Sequence, residues 1–263
     1  MQPQANNCSR NLGTDISLAD PWTLVAVAIA MTLGGILKGA TGAGLPVIAV
    51  PVLASIYDVR VAVAVMVVPN LISNLRQVWK FRTVTIDLVF VRVLAVSGAV
   101  GVGFGTLFLA NFDPIYVQSV MILIIAVYIG LRLFRFELLV TNVKARRLMG
   151  PIGLIGGMLQ GTVGISAPIA VTFLNAIRLE RSAFVFTVSA FFAAMCVVQL
   201  PMQIGYGIMT LNTALLGLFA LVPLTFALPL GEWVGNKFSA RAFDRAILFF
   251  LGGLAVKLVI DIL

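Results

Sequence analysis

Eight long apolar stretches follow one another through the chain: Trp22 to Ile56, Val61 to Trp79, Leu88 to Leu109, Pro114 to Phe134, Leu148 to Ile177, Ser182 to Gly205, Thr213 to Leu230 and Ala246 to Leu263. Each is near or above the roughly 20 residues that a helix needs to cross a bilayer. None alternates apolar and polar residues as barrel strands do, so the stretches read as helices. A water-soluble fold does not accommodate them. With 60% of its residues apolar, 11% charged and a mean hydropathy of +1.08, the chain lies far from the soluble norm of about 45–50% apolar and about 25% charged. The sequence predicts an all-α polytopic membrane protein.

The net charge of +8 would raise the question of nucleic acid in a soluble protein. Here the charges sit between the apolar runs, where they act as topology signals, and no basic face with interleaved aromatics is present. Cys8 lies in a polar tail and Cys196 inside an apolar run, without the spacing of a metal site or a disulfide. Histidine is absent, and all ten acidic residues lie at or near run ends. This leaves no nucleophile–base pair, no paired intramembrane carboxylates and no metal ligand set, so catalysis is disfavoured and no cofactor is called for. The same distribution disfavours a cation site.

The chain also repeats itself. Gly34 to Pro46 reads GGILKGATGAGLP and Gly156 to Pro168 reads GGMLQGTVGISAP, with six of thirteen positions identical and no gap. Arg60-Val-Ala62 matches Arg181-Ser-Ala183, Gly101 and Gly105 match Gly231 and Gly235, and Phe112-Asp113 matches Phe243-Asp244, all in the same order. A duplicated bundle accounts for this: a polar tail over residues 1–21, a first transmembrane repeat over 22–140 and a second over 141–263, within one membrane domain.

Basic residues orient the repeats, because cytoplasmic loops carry the excess of Lys and Arg. Arg132 to Arg147 holds five, Arg76 to Arg82 three and Lys237 to Arg245 three, whereas Ala110 to Asp113 and Tyr206 to Asn212 hold none. With the first three stretches inside and the last two outside, the run that opens each repeat has to return to the side it left. Each repeat then contains a broken or re-entrant helical hairpin plus three transmembrane helices. That odd net number inverts the second repeat relative to the first and puts both termini outside. Hairpins broken at their centres would have arms of about 11 to 17 residues, with tips opposed at depth.

Non-helical backbone at depth must be buried in protein or line a wet cavity. Gly39, Gly42, Gly44, Gly161 and Gly164 permit the turn, and a second helix starts near Pro46 or Pro168. Helix starts carry free N–H groups and partial positive charge, which suits an anion. Lys38 adds a full charge to the first tip, where ionisable groups suggest function; its repeat partner is Gln160. Thr41, Thr162 and Ser166 supply hydroxyls that either bond substrate or satisfy backbone. Asn70, Asn74 and Gln77 share a helix face, as do Gln199 and Gln203; substrate contact, with Asn70, Asn74 and Gln199 as candidates, and packing are both open to them. Gly101, Gly105, Gly231 and Gly235 fit close helix packing.

The two glycine-rich segments resemble the sulfite exporter (TauE/SafE) family, whose members carry a G-x3-G-x-T-G-x-G segment near the start and a related copy opening the second half. Here the copies are Gly35 to Gly44, with Thr41, and Gly157 to Ser166. The resemblance implies a bacterial inner-membrane permease that moves sulfite or an organosulfonate such as sulfoacetate, commonly outward. Leu45 after Gly44, and Ser166-Ala167 in the second copy, depart from the further glycines common in the family at positions that shape the pocket. Uptake or channel-like passage of another small anion, a carboxylate or sulfate, is the alternative. The expected partners are the anion and the lipid bilayer, with homo-oligomers left open.

Overall fold

A computed structural model describes residues 20–133, 140–237 and 240–261. Residues 1–19 of the polar tail, 134–139 with Arg135, 238–239 and 262–263 lie outside the described residues, as do the side chains of Arg132, Asn142, 236–237 and 240–247. Among the described residues there are eleven helices: α1 (Pro21–Thr41), α2 (Leu45–Ala54), α3 (Val59–Lys80), α4 (Leu88–Asn111), α5 (Pro114–Leu133), α6 (Asn142–Val163), α7 (Ala167–Ala176), α8 (Arg181–Gly205), α9 (Leu211–Phe219), α10 (Leu221–Lys237) and α11 (Ala240–Ile260). Six spans are long and apolar enough to cross a membrane: α1, α3, α4, most of α5, α8, and a joint path through α9 and α10. That joint path is interrupted because Pro223 has no N–H for the Phe219 carbonyl. Side chains such as Ile29, Val96, Val100 and Leu123 are exposed on the outer faces, as lipid contact requires.

The acidic residues gather at run ends because several of them start helices. Asp20 accepts hydrogen bonds from the N–H groups of Trp22 and Thr23, Asp58 from Arg60, and Asp87 from Val89 and Phe90. Each satisfies donors that the first helical turn would otherwise leave open.

Both glycine-rich runs are broken and turn back. Gly42 (φ 82°) closes α1 by donating its N–H to the Lys38 carbonyl at 2.7 Å, and Gly44 (φ 99°) opens α2. Two left-handed residues this close exact little strain from glycine and much from any other type. The return is marked by Tyr57, whose hydroxyl donates to Thr23 Oγ1 at 2.8 Å, back at the level where α1 began. In the second run Gly164 (φ 73°) ends α6, and the Val140 N–H donates to the Ala176 carbonyl at 3.0 Å. The expectation of arms of 11 to 17 residues is corrected here. The arms are 21 and 10 residues in the first hairpin and 22 and 10 in the second: Gly42 and Gly44 lie past the middle of the first run, and α6 begins at Asn142, ahead of the second run.

The helix ends sort into two groups. Arg60 donates to the carbonyls of Leu109 and Phe112 at 3.0 and 2.6 Å, Lys257 donates to the Ser55 carbonyl, and Gln118 donates to the Leu258 carbonyl at 3.2 Å. At the opposite end Lys80 pairs with Glu232 at 3.2 Å and Arg146 with Asp87 at 2.5 Å. Between them α3 and α8 cross the centre antiparallel: Asn70 meets Cys196, and Gln77 meets Ser189.

The glycine pairs pack crosswise, α4 against α6 and α10 against α1. A Cβ on Gly105 of α4 would lie 2.1 Å from the Met158 carbonyl oxygen of α6, and one on Gly161 would lie 2.4 Å from that of Val102. On the other side, a Cβ on Gly231 of α10 would lie 2.3 Å from the Ile36 carbonyl oxygen of α1, and one on Gly39 2.2 Å from that of Leu228. Backbones this close gain dispersion contact that larger residues forbid. The first hairpin is thus held by α10 and the second by α4.

Candidate functional site

The first break sets Lys38 in the interior. Gly34, Gly35 and Gly39 occupy the tightly packed faces of the last turns of α1, which leaves Lys38 to point at α3. Its side chain is 2% exposed. Nζ donates to Asn74 Oδ1 at 2.6 Å and to Ser73 Oγ at 3.0 Å. Asn74 Nδ2 in turn donates to the Asn70 carbonyl at 2.7 Å and to Asn70 Oδ1 at 2.8 Å, so both amides are fixed in orientation. Two neutral acceptors engage an ammonium that carries three donors. Among the described residues no carboxylate pairs with it, and ion pairs such as those of Lys80, Arg146 and Lys257 lie near the helix ends.

The equivalent position in the second break gives a neutral cluster. Ser166 Oγ donates to Gln160 Oε1 at 3.2 Å, and Gln199 Nε2 of α8 donates to the Gln160 carbonyl at 3.3 Å. All three residues are buried. The two clusters meet where α3 crosses α8, through Asn70 Nδ2 and Cys196 Sγ at 3.6 Å. A buried polar file therefore runs along the seam: Gln77 with Ser189, then Lys38 with Ser73 and Asn74, then Asn70 with Cys196, then Gln199 with Gln160 and Ser166. Gln203 follows one turn beyond.

The remaining expected residues divide by role. Thr41 Oγ1 bonds locally to the carbonyls of Leu37 and Ala43 at 2.9 and 2.6 Å. Thr162 Oγ1 reaches the Gly105 carbonyl at 3.4 Å, across the α4–α6 contact. Gly39 and Gly161 serve the same close contacts, whereas Gly42, Gly44 and Gly164 shape the breaks. The tips do not oppose one another end to end. Gly164 faces Val50 in α2 and Val63 in α3, while Thr41, Ala43, Gly44 and Val47 face Ala167 and Val171 of α7 and Tyr128 of α5. The two hairpins slide past each other. The helix starts are also less open than a bare N-terminus: the Val47 and Ile169 N–H groups bond the Gly44 and Ser166 carbonyls, and Pro46 and Pro168 have none to offer.

Between the tips lies a cleft with room for about one water molecule. Ser73 and Cys196 complete the file; the sequence had offered Cys196 only as a cysteine without metal or disulfide spacing, and Ser73 not at all. The spacing carried the signal, since Ser73 follows Asn70 by three positions and Cys196 precedes Gln199 by three, each on the polar face.

A family model described as sulfite exporter TauE/SafE matches residues 27–258. The chain belongs to that family. Neither the curated proteins nor the solved structures gave a match. Membership in the TauE/SafE family makes the chain a membrane transporter and not an enzyme. The matched residues take in both hairpins and the whole polar file.

Proposed function

We propose that this transporter moves a small sulfur oxyanion, sulfite or an organosulfonate such as sulfoacetate, outward across the bacterial inner membrane. The observation that carries the reading is Lys38: a buried ammonium held by a hydroxyl and an amide, without a carboxylate. One charge at bilayer depth costs about 2.5–3.5 kcal/mol on insertion scales, and such residues face functional pathways. An anion seated beside it supplies the missing counter-charge. Ser73, Asn74 and Asn70 hold the ammonium in place. Gln160, Ser166 and Gln199 offer the anion neutral bonds further along the seam, and the breaks at Gly42–Gly44 and Gly164 provide the mobile backbone.

The repeats are read as inverted. Support comes from α3 and α8 crossing antiparallel, from the hairpins returning to opposite ends, and from the crosswise glycine contacts. The end bearing Arg76, Lys80, Arg82, Arg146 and Arg147 is assigned to the cytoplasm by its positive charge. The end bearing Tyr57, Arg60 and Phe112, with both termini, is then periplasmic.

Flux measurements in proteoliposomes test the function: sulfite, sulfoacetate and chloride with the wild type and with Lys38→Ala. Loss of sulfite flux in the variant, with chloride slow throughout, is the expected result. Undiminished sulfite flux in Lys38→Ala removes the role assigned to that lysine.

A further inference from the structure

We propose that Gln199 and Gln203 form a second, uncharged station for the transported anion, and that this station takes an oxyanion still carrying an acid proton. The inference rests on the reading of Lys38 as the anion's counter-charge. Both amides are on α8, one turn apart, and both are 0% exposed. Gln199 Nε2 donates to the Gln160 carbonyl oxygen. A carbonyl only accepts, so this bond fixes which way the Gln199 amide points. Its Oε1 is left without a partner, and so are Oε1 and Nε2 of Gln203. Buried side-chain polar atoms are seldom left unpaired, and three on consecutive turns of one helix ask for an occupant.

The chemistry of that occupant follows from the free atoms. Gln203 presents one acceptor and one donor group whichever way it turns, while Gln199 presents an acceptor. A fully deprotonated oxyanion brings acceptors alone, and its oxygens would meet Gln199 Oε1 lone pair against lone pair. An oxyanion that keeps one O–H donates that hydrogen to a glutamine carbonyl and accepts from the Gln203 amide. Charge points the same way, because Lys38 is the one buried cation among the described residues and balances a single negative charge. The station therefore suits the monoanion of an oxyacid, of which hydrogensulfite is the sulfur member. The turn after α8 covers this end, with the Ile208 and Met209 N–H groups bonded to the Gln203 backbone carbonyl at 2.9 and 3.0 Å.

Two anions with the same sulfur–oxygen head separate the ideas. Sulfite, supplied at a pH where hydrogensulfite predominates, has the acid proton; methanesulfonate has none. Flux of each into proteoliposomes is compared for the wild type, Gln203→Leu, Gln199→Met and Lys38→Ala. The expected result is a fall of about tenfold in the sulfite-to-methanesulfonate ratio for either glutamine variant, the net worth of one neutral hydrogen bond. Gln203→Leu should melt no lower than wild type in detergent, because it removes an unpaired amide. Equal loss of both anions, no loss of either, or a lowered melting temperature with an unchanged ratio overturns the station and leaves the Lys38 reading standing if Lys38→Ala abolishes flux. Full flux of both anions in Lys38→Ala overturns both readings. If Gln203→Leu fails to fold, the ratio in Gln199→Met decides alone.

Discussion

The two broken hairpins share a backbone device and differ in charge. Gly42 and Gly164 end a long first arm in the left-handed region, and ten-residue second arms follow both. At the matching place on the last turn, one hairpin carries Lys38, bonded to Ser73 and Asn74, and the other carries Gln160, bonded to Ser166 and Gln199. The glycine contacts tie down the backbone of both, which leaves the interior-facing side chain free to diverge. The two breaks thus offer two seats at matching places in the sequence, and one of them carries an amine where the other carries an amide.

Exchanging the two side chains attacks this comparison most directly. Lys38→Gln makes the first seat a chemical copy of the second, and sulfite flux should drop about 10- to 100-fold, the worth of one hydrogen bond to a charged group. Adding Gln160→Lys should restore part of it if the seats are equivalent; no recovery, with the double variant folded, breaks the equivalence. Next in size is the packing that holds the seats. Gly105→Ala drives a Cβ into the Met158 carbonyl and should destabilise by about 1–3 kcal/mol in thermal unfolding. Gly103→Ala on the same helix meets only Met202 Sδ at 3.7 Å and should be neutral or stabilising. Similar melting of the two variants would mean that the glycine contact is not what fixes the hairpin.

Cys196 reports on the seam between the seats. In a Cys8→Ser background, a small anionic methanethiosulfonate reagent should label it slowly in membranes, and sulfite should slow labelling several-fold further by occupying the same file. Labelling at an unchanged rate in saturating sulfite argues that the anion travels elsewhere.

The smallest effect lies outside the membrane, at Asp87. Its carboxyl is held below its usual value of 3.8, first by the hydrogen bond from Arg146, then by those from the Phe90 and Val89 N–H groups and by the charge of Arg146. A depressed value favours the folded state when the group is ionised. The contribution is therefore complete above the unfolded value and is lost as pH falls through the lower folded one. Asp87→Asn keeps the helix cap, so its melting curve should lie slightly below wild type at neutral pH and converge with it in acid. Curves that stay apart at low pH would assign the difference to something other than the ion pair.

Much of this was legible in the residues themselves. Apolar run lengths gave the spans, and two glycine repeats in register gave the breaks. Charge counts placed Arg60 with the Ala110–Asp113 connection, and the Arg60 bonds to Leu109 and Phe112 join the same pieces. The uneven arms of the first hairpin follow from Gly42 and Gly44 lying past the centre of the 22–56 run, whereas those of the second arise because α6 extends back to Asn142, beyond the apolar run. What spacing could not convey was which repeat each face meets. Gly101 and Gly105 announce a close contact on α4, but nothing local says that the partner is the Leu154 to Thr162 stretch of α6. The side-by-side passage of the hairpins was hidden for the same reason, since it depends on distances between segments that never adjoin in sequence.

The crosswise glycine contacts also set an order of assembly. The face of α1 that carries Gly35 and Gly39 closes only against α10, which leaves the ribosome near the end of synthesis. The first helix to enter the bilayer is therefore among the last to find its mate, and nascent chains halted before Leu211 should hold it loosely enough for a protease to reach the α1–α2 hairpin.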